Sequence, residues 1–301
     1  MANRTYRAVF FDLDGTLLPM DVDAFMKNYF QRLGAFVARR GIAPEDFKAG
    51  MKEGIAAMAT VDDDSLNADA FWPRFLAHVD PQGEGAIDWK SEVAKFYEEE
   101  FGQIGADVEP NPAAARAINA LVEKGYPLVL ATMPLFPRRA VEWRLRWAGI
   151  DPAVFSRITT FENSTSVKPK LNYYAENLAA AGVEGRDVLM VGNNTKEDLA
   201  IRALGADAFL VTDYLIDPVG FEVFSIKHGS LEKFANWVEQ LPPCADPAEG
   251  ISDEPVAPLS RERALRKNGG EDGAAGGASS LDGVAKSGGA SPFVINGMGD
   301  E

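Results

Sequence analysis

Cysteine is almost absent from this 301-residue chain, which contains only Cys244. A single thiol cannot form an intrachain disulfide, and it cannot supply the several sulfur ligands of a thiolate metal centre. An intrachain disulfide and a metal centre built from several thiolates of one chain are therefore excluded. Such scarcity of cysteine is typical of proteins in a reducing compartment, so the expected location is the cytoplasm.

Positive charge is also in short supply. Lys and Arg total 30 against 45 Asp and Glu, which gives a formal net charge of −15. Nucleic acids and anionic membranes repel such a surface, so we expect neither as a partner. A small phosphorylated metabolite stays compatible with this charge, because one local cation and a metal ion can reverse the field inside a pocket.

Long apolar runs are missing, although apolar residues make up 46% of the chain. No run approaches the roughly 18–20 apolar residues that cross a bilayer, so no membrane-spanning helix is expected. The N-terminal residues pass at once into a short apolar run that acidic residues soon interrupt. This pattern differs from that of a secretory signal peptide.

Short, continuous apolar runs are present and predict buried strands. The three strongest lie at residues 7–11, 128–131 and 188–191, and weaker ones lie at 158–160 and 209–211. Helical patterns separate them, at residues 111–124, 138–148 and 173–181. Continuous apolar strands that alternate with helices are typical of a parallel sheet covered on both faces. We therefore predict an α/β fold with a Rossmann-like, doubly wound parallel sheet.

Two regions depart from this alternation. Residues 20–105 show helical patterns without a convincing strand, which predicts a helical cap inserted into a core formed by residues 1–19 and 106–241. The tail, residues 242–301, is expected to be disordered. Within it, 17 of the 23 residues at 269–291 are Gly, Ala or Ser, too little apolar mass for a folded core.

Two acidic residues, Asp12 and Asp14, follow the first predicted strand, and Gly15 allows the chain to turn sharply after them. Carboxylates two positions apart point the same way and repel each other unless a cation lies between them. Mg²⁺, which prefers oxygen ligands, is the expected cation. A carboxylate neutralised in this way can attack a phosphoryl group, and its neighbour can transfer protons.

The octet F-D-L-D-G-T-L-L at residues 11–18 resembles the first motif of the haloacid dehalogenase (HAD) superfamily. The resemblance implies that Asp12 is the nucleophile and that Asp14 is the general acid/base, with its main-chain carbonyl also ligating magnesium. An acid at the second position is typical of the phosphatases and phosphomutases of that family. The helical insertion at this place resembles a cap of the C1 type.

The next two motifs of the family have matches here. Thr132 ends the second strong strand and resembles the Ser or Thr whose hydroxyl contacts a phosphate oxygen. Lys168, followed by Pro169, resembles the lysine of the third motif. The resemblance implies that Lys168 screens the nucleophile and the phosphate as a point charge, and it favours Lys168 over its neighbour Lys170.

The fourth motif departs from the family pattern. The family has Gly-Asp followed by another acid, but residues 191–198 read V-G-N-N-T-K-E-D. An amide replaces the usual carboxylate, and spacing leaves two registers open. Asn193 pairs with Glu197 or Asp198, whereas Asn194 pairs with Asp198. The predicted metal ligands are therefore Asp12, Asp14, Asn193, Asn194 and Asp198, with lower affinity because one negative charge is lost.

The resemblance implies an Mg²⁺-dependent hydrolase that acts on a small phosphomonoester through an aspartyl-phosphate intermediate. Phosphoglycolate and sugar phosphates are common substrates of the family, and the sequence selects neither. Two alternatives stay open: a phosphomutase on the same scaffold, and a catalytically weak HAD-like binding protein with a degenerate metal motif. The oligomeric state is open as well.

Overall fold

The computed structural model describes residues 5–60, 63–83, 85 and 87–269. Within these residues six strands form one sheet, in the order β3-β2-β1-β4-β5-β6, and every neighbouring pair is parallel. The strands are β1 (Ala8–Phe11), β2 (Leu128–Leu130), β3 (Phe155–Ile158), β4 (Val188–Gly192), β5 (Asp207–Val211) and β6 (Lys227–Gly229). The predicted Rossmann-like α/β fold is confirmed.

Nine α-helices lie between and after the strands in the described residues. They are α1 (Val22–Ala38), α2 (Pro44–Thr60), α3 (Asn67–Val79), α4 (Trp89–Glu99), α5 (Pro112–Glu123), α6 (Arg138–Trp147), α7 (Leu171–Ala181), α8 (Leu231–Glu239) and α9 (Pro258–Gly269). Short 3-10 turns lie at Phe101–Gly105, Pro152–Val154, Gly185–Asp187, Asp198–Leu204 and Val223–Ser225. Among these described helices, none has the length and apolar content that a bilayer crossing requires.

Both faces of the sheet are covered, which explains why its strands are continuously apolar. Val9 and Phe11 of β1 belong to the same buried cluster as residues of α5 and α8. Ala8 and Phe10 point to the other face and pack in a cluster with residues of α7 and α9. Since successive side chains of a strand point to opposite faces, every position of β1 becomes apolar.

The sheet reverses its strand order beside β1. The chain adds β2 and β3 on one side and then returns to place β4 on the other. Phe11 at the end of β1 is in register with Val191 near the end of β4. In open α/β sheets this reversal leaves a crevice at the carboxyl ends of the strands, where ligands bind. The loops after β1, β2 and β4 therefore meet at one place.

Four helices, α1 to α4, lie between β1 and α5, and no strand is found among the described residues of this segment. Asp21 caps α1 by accepting a hydrogen bond of 3.0 Å from the Ala24 N–H. Tyr29 of α1 packs on Phe101 and on Phe136 of the core, with ring centroids 6.0 and 5.2 Å apart. The insertion therefore shares an aromatic core with the sheet domain, and its action as a cap stays a prediction.

The structure corrects the prediction for the tail, because residues 242–269 pack on the sheet domain. Buried Arg157 of β3 donates from Nη1 to the carbonyl oxygens of Ser252 and Glu254, at 2.9 Å each. These main-chain oxygens are the acceptors of Nη1, and without them this part of a buried charge would lose its hydrogen bonds. Composition does not predict this contact, because the segment is polar and its main-chain oxygens bind an arginine that is distant in sequence.

Helix α9 continues the packed segment. Ala264 is buried against α7, and Arg261 reaches the Thr165 hydroxyl with Nη1 and also contacts Asp64. These two polar contacts help to hold a helix that has few apolar residues. The rest of the predicted disordered tail, residues 270–301, lies outside the described residues.

Deleting residues 242–301 is expected to lower the free energy of unfolding by at least about 3 kcal/mol, because Nη1 of the buried Arg157 would lose both of its acceptors. Urea denaturation of this truncated chain and of a chain ending at Gly269 provides the measurement. The second chain is the control, since it keeps every contact described for α9. Equal unfolding midpoints in the two chains would contradict the assignment.

Candidate active site

A small cavity lies where three strands end. Its volume is about 20 Å³, and about 10–15 Å³ is enough to hold one water molecule. The residues that line it are Asp12, Asp14, Val22, Thr132, Met133, Asn193, Asn194, Glu197, Asp198 and Ile216. All the predicted site residues except Lys168 line this cavity. Lys168 belongs to the same site, because it contacts Asp12 and Asp198 directly.

A tight turn after β1 presents the two acidic residues. The Leu13 carbonyl accepts hydrogen bonds from the N–H groups of Thr16, Leu17 and Leu18, at 2.9 to 3.1 Å. Gly15 has a φ of +77°, and a Cβ there would overlap the amide nitrogen of Asn193. Glycine is therefore required both for the backbone conformation and for the close approach of the β4 loop.

Lys168 holds two carboxylates together. Its Nζ lies 2.7 Å from Asp12 Oδ1 and 2.6 Å from Asp198 Oδ1, and all three side chains are buried. Burial disfavours the charged lysine, but the attraction of Asp12 and Asp198 outweighs it and raises the pKa of Lys168 well above its usual value. The ammonium is therefore a fixed positive charge beside Asp12.

Asp198 also fixes the loop after β4. Its Oδ2 accepts hydrogen bonds of 2.9 Å from the N–H groups of both Asn193 and Asn194. The carboxylate approaches so closely that a Cβ at Gly192 would overlap it. Burial raises the pKa of Asp198 to about 6, against the opposing attraction of Lys168. Asp198 thus links the lysine to the loop that carries the two amides.

The two asparagines have different roles. These roles distinguish between the two alignments of the fourth motif that the sequence spacing allows. Asn194 Oδ1 accepts hydrogen bonds of 3.0 Å from the N–H groups of Lys196 and Glu197, so it caps its own turn. Asn193 Oδ1 lies 3.2 Å from the Thr16 hydroxyl. That hydroxyl is also 3.2 Å from Asp12 Oδ2. Asn193 is therefore the amide that faces Asp12.

Asn193 uses its amide nitrogen as well. Nδ2 donates a 2.6 Å hydrogen bond to the main-chain oxygen of Tyr214. The Ile216 N–H donates to the Asn193 main-chain oxygen at 2.9 Å, and Thr195 N–H donates to the Ile216 oxygen at the same distance. A carboxylate at position 193 could not donate to Tyr214. The amide therefore fastens the loop after β5 to the site.

Magnesium fits the chemistry of this cavity, because the polar side chains that line it carry oxygen donors. Asp12 Oδ2 and Asn193 Oδ1 converge on the Thr16 hydroxyl, and Asp14 would add its main-chain carbonyl. Across the part of the chain that the structure describes, no three His, Cys, Asp or Glu side chains group as metal ligands. A ligand set with one amide carries less charge, so we expect weak affinity.

Asp14 is paired with Arg144, a residue that the sequence reasoning missed. Arg144 Nη1 donates to Asp14 Oδ2, and the arginine is fully buried. Burial raises the pKa of Asp14 to about 6, and the charge of Arg144 opposes that rise. Neither Asp14 Oδ1 nor Arg144 Nη2 has a hydrogen-bond partner among the described residues. Asp14 lines the small cavity, so its Oδ1 is the unused acceptor on that side.

A sequence signal for Arg144 does exist. It follows Ala140 by four positions and precedes Leu145, so it occupies the apolar face of α6. A charged residue on such a face requires a buried partner. The more conspicuous Arg138 and Arg139 lie nearer Thr132 in sequence but form half-exposed ion pairs with glutamates and Asp253.

Thr132 presents an unused hydroxyl. Its main-chain oxygen accepts hydrogen bonds of 2.8 Å from the hydroxyl groups of Thr159 and Tyr173, which fix the end of β2. Its Oγ1 is buried and has no partner within the described ranges. A buried donor without a partner costs free energy, and Thr132 lines the small cavity, so a ligand there could satisfy its hydroxyl.

A family model described as a haloacid dehalogenase-like hydrolase matches residues 6–205. The chain belongs to this family. The matched residues include the turn after β1, the whole helical insertion and the loop after β4. A search of curated proteins finds no match.

Solved structures similar to this HAD-like hydrolase include several enzymes. A predicted phosphoglycolate phosphatase from Haemophilus somnus is 18% identical, with 77% of this chain and 97% of that chain covered and a TM-score of 0.46. CbbY from Rhodobacter sphaeroides, in complex with phosphate, is 18% identical, with coverages of 76% and 96% and a TM-score of 0.48. L-2-haloacid dehalogenase from Xanthobacter autotrophicus is 16% identical, with coverages of 87% and 89% and a TM-score of 0.41.

Replacing Asn193 with Asp is expected to tighten magnesium binding by roughly tenfold, because it adds a charge to the ligand set. Without metal the variant should unfold at a lower temperature, since a carboxylate would face the Tyr214 oxygen. Melting temperature followed through a magnesium titration measures both effects. Asn194→Asp is the matched control, because a carboxylate can still cap its turn, and a larger gain from that variant would reverse the assignment.

Proposed function

We propose that this HAD-like hydrolase cleaves phosphomonoesters through an aspartyl-phosphate on Asp12, with Mg²⁺ as its cofactor. The observation that supports this most is the buried Lys168 ammonium, 2.7 Å from Asp12 Oδ1. It places a fixed positive charge where a phosphoryl group would meet the carboxylate. Magnesium, when bound, would offset further negative charge on Asp12 and the phosphoryl oxygens.

In the first step an Asp12 carboxylate oxygen attacks phosphorus and forms a new P–O bond. The bond between phosphorus and the leaving oxygen breaks, and that oxygen takes a proton from Asp14. A pKa of about 6 keeps part of the Asp14 population protonated near neutral pH. The Thr132 hydroxyl, which has no other partner among the described residues, would hold a phosphoryl oxygen.

In the second step water attacks the same phosphorus atom. Asp14, now ionised, accepts a proton from the water, and the bond between phosphorus and Asp12 breaks. Inorganic phosphate leaves and both carboxyl groups regain their starting states. Arg144 contributes by holding Asp14 Oδ2, so that one oxygen of the acid stays free for proton transfer.

Asp14 favours phosphoester cleavage over dehalogenation. A departing alkoxide needs a proton, whereas a departing halide does not. A buried acid with a raised pKa, two residues after the nucleophile, is useful only in the first case. The chemistry of this chain therefore supports a phosphatase within a family that includes dehalogenases.

Phosphate release from a panel of alkyl and aryl phosphomonoesters, with millimolar Mg²⁺, tests the proposal. Wild type should release phosphate from both classes. Asp14→Asn should impair alkyl esters more than aryl esters with acidic leaving groups, which need no proton. A folded wild-type protein that releases no phosphate at high magnesium would refute the proposal, as would return of the phosphoryl group to another hydroxyl of the substrate.

A further inference from the structure

A second cavity, which we call the apolar cavity, lies between helices α1–α4 and the loops after β2 and β3. Its volume is about 250 Å³. Methionine, aromatic and branched apolar side chains from all four helices form most of its wall, and the core loops add Phe136 and Phe161. An apolar cavity of about 150 Å³ binds benzene, so this one would hold a chain of about eight to ten carbons.

The apolar cavity offers few polar groups to a ligand. The hydroxyls of Tyr29 and Tyr97, both buried in its wall, hydrogen-bond to each other at 2.7 Å. Burial raises the pKa of both tyrosines, so they stay neutral. Lys90 and Glu162 are the charged residues of the wall. A sugar would need a partner for each hydroxyl, whereas a hydrocarbon needs none.

Helix α1 connects the apolar cavity with the small cavity at Asp12. Val22 lines the small cavity, and Met26 lines the apolar cavity. Four residues of a helix span about 6 Å along its axis. The residues of α1 that line the two cavities are therefore about one helical turn apart.

Two further elements make the same connection. In the loop after β2, Met133 lines the small cavity and Leu135 lines the apolar one. Arg144, whose Nη1 binds Asp14, lies over the Phe136 ring, 4.5 Å from its centroid. Phe136 is in turn part of the apolar wall. Two stacked side chains, those of Arg144 and Phe136, thus lie between the acid and the apolar cavity.

We infer that the apolar cavity receives the alcohol portion of the phosphoester and that this portion is a hydrocarbon chain. This inference rests on the proposed phosphatase activity. With phosphorus at Asp12 and the leaving oxygen near Asp14, a chain that extends past Arg144 and Phe136 enters the apolar cavity. Burial of each methylene then adds to the affinity for the ester and for its transition state.

A series of n-alkyl phosphates from ethyl to decyl tests this inference, because from propyl onwards the leaving groups are nearly equal in acidity. We expect kcat/KM to rise about fourfold per methylene until the cavity is full, and then to level off. Equal kcat/KM for ethyl and octyl phosphate, or better turnover of a sugar phosphate than of octyl phosphate, would overturn the inference.

Filling the cavity provides the matched variants. The cavity is lined by Ala68, half-buried in α3, and by Ile55 of α2. Ala68→Phe or Ile55→Phe should therefore reduce kcat/KM for octyl phosphate by about tenfold or more. The kcat/KM for ethyl phosphate should stay unchanged. Ala56→Leu adds bulk on the exposed side of α2 and should change neither substrate. If both filling variants fold and leave octyl phosphate unaffected, the inference is wrong.

Binding to the Asp12→Asn protein separates this inference from the proposed function. Calorimetry should show octyl phosphate and 1-octanol competing, with negative heat-capacity changes that Ala68→Phe diminishes. If no ester is hydrolysed by wild type, the phosphatase proposal fails, while this binding pattern still supports the cavity assignment. Octanol that binds without competing against octyl phosphate, or fails to bind, would overturn the assignment.

Discussion

Asp12→Asn is expected to reduce phosphate release by about 10⁴-fold or more, because an amide cannot form the aspartyl-phosphate. The fold should persist. Lys168 keeps its 2.6 Å ion pair with Asp198, and an Asn side chain can accept from Lys168 with its oxygen and donate to Thr16 with its nitrogen. Steady-state phosphate release measures the loss, and circular dichroism verifies the fold.

A neighbouring acid supplies the matched control for this variant. Asp21 is exposed and caps α1, and an asparagine caps a helix about as well. Asp21→Asn therefore removes the same charge without touching the small cavity, and its activity should stay near that of wild type. Similar losses in the two variants would indicate a general charge effect and would contradict the nucleophile assignment.

Lys168→Met is expected to lower the free energy of unfolding by about 3–5 kcal/mol, because it leaves Asp12 and Asp198 buried and close together without a counter-charge. Phosphate release should fall as well, since the transferring group would lose its fixed cation. Urea denaturation measures the first effect. Added Mg²⁺ should restore part of the lost stability by neutralising the same carboxylates.

Two further variants test the role of the Lys168 charge if Lys168→Met does not fold. Lys168→Arg keeps the charge but changes its geometry, so it should retain more stability than activity. Lys170→Met removes the neighbouring lysine, which lies at the N-cap of α7 and does not line the small cavity, so it should change activity little. A larger loss of activity from Lys170→Met than from the Lys168 variants would contradict the role given to Lys168.

The fold and the turn after β1 could be predicted from sequence because their causes are local. Continuous apolar strands specify a covered parallel sheet, and Gly15 supplies the positive φ that the turn after Asp12 requires. β6 was not predicted, since its three residues, K-H-G, contain no apolar run. It joins the edge of the sheet through pairing with β5 alone.

The parts of the site that could not be predicted depend on distant contacts. Asn193 and Asn194 are adjacent, and only hydrogen bonds within the folded turn show that Asn194 caps it while Asn193 faces Asp12. Arg144 becomes conspicuous once Asp14 lies beside it, 130 residues away in sequence. Order in residues 242–269 likewise depends on acceptors for a buried arginine of β3.

Acid-quench mass spectrometry during turnover in ¹⁸O-labelled water shows whether a phosphoryl bond to Asp12 forms. We expect the peptide containing Asp12 to gain one phosphoryl group and the released phosphate to carry the ¹⁸O label. Turnover in which the peptide never carries phosphate, or in which ¹⁸O enters the Asp12 carboxylate instead of phosphate, would contradict this mechanism.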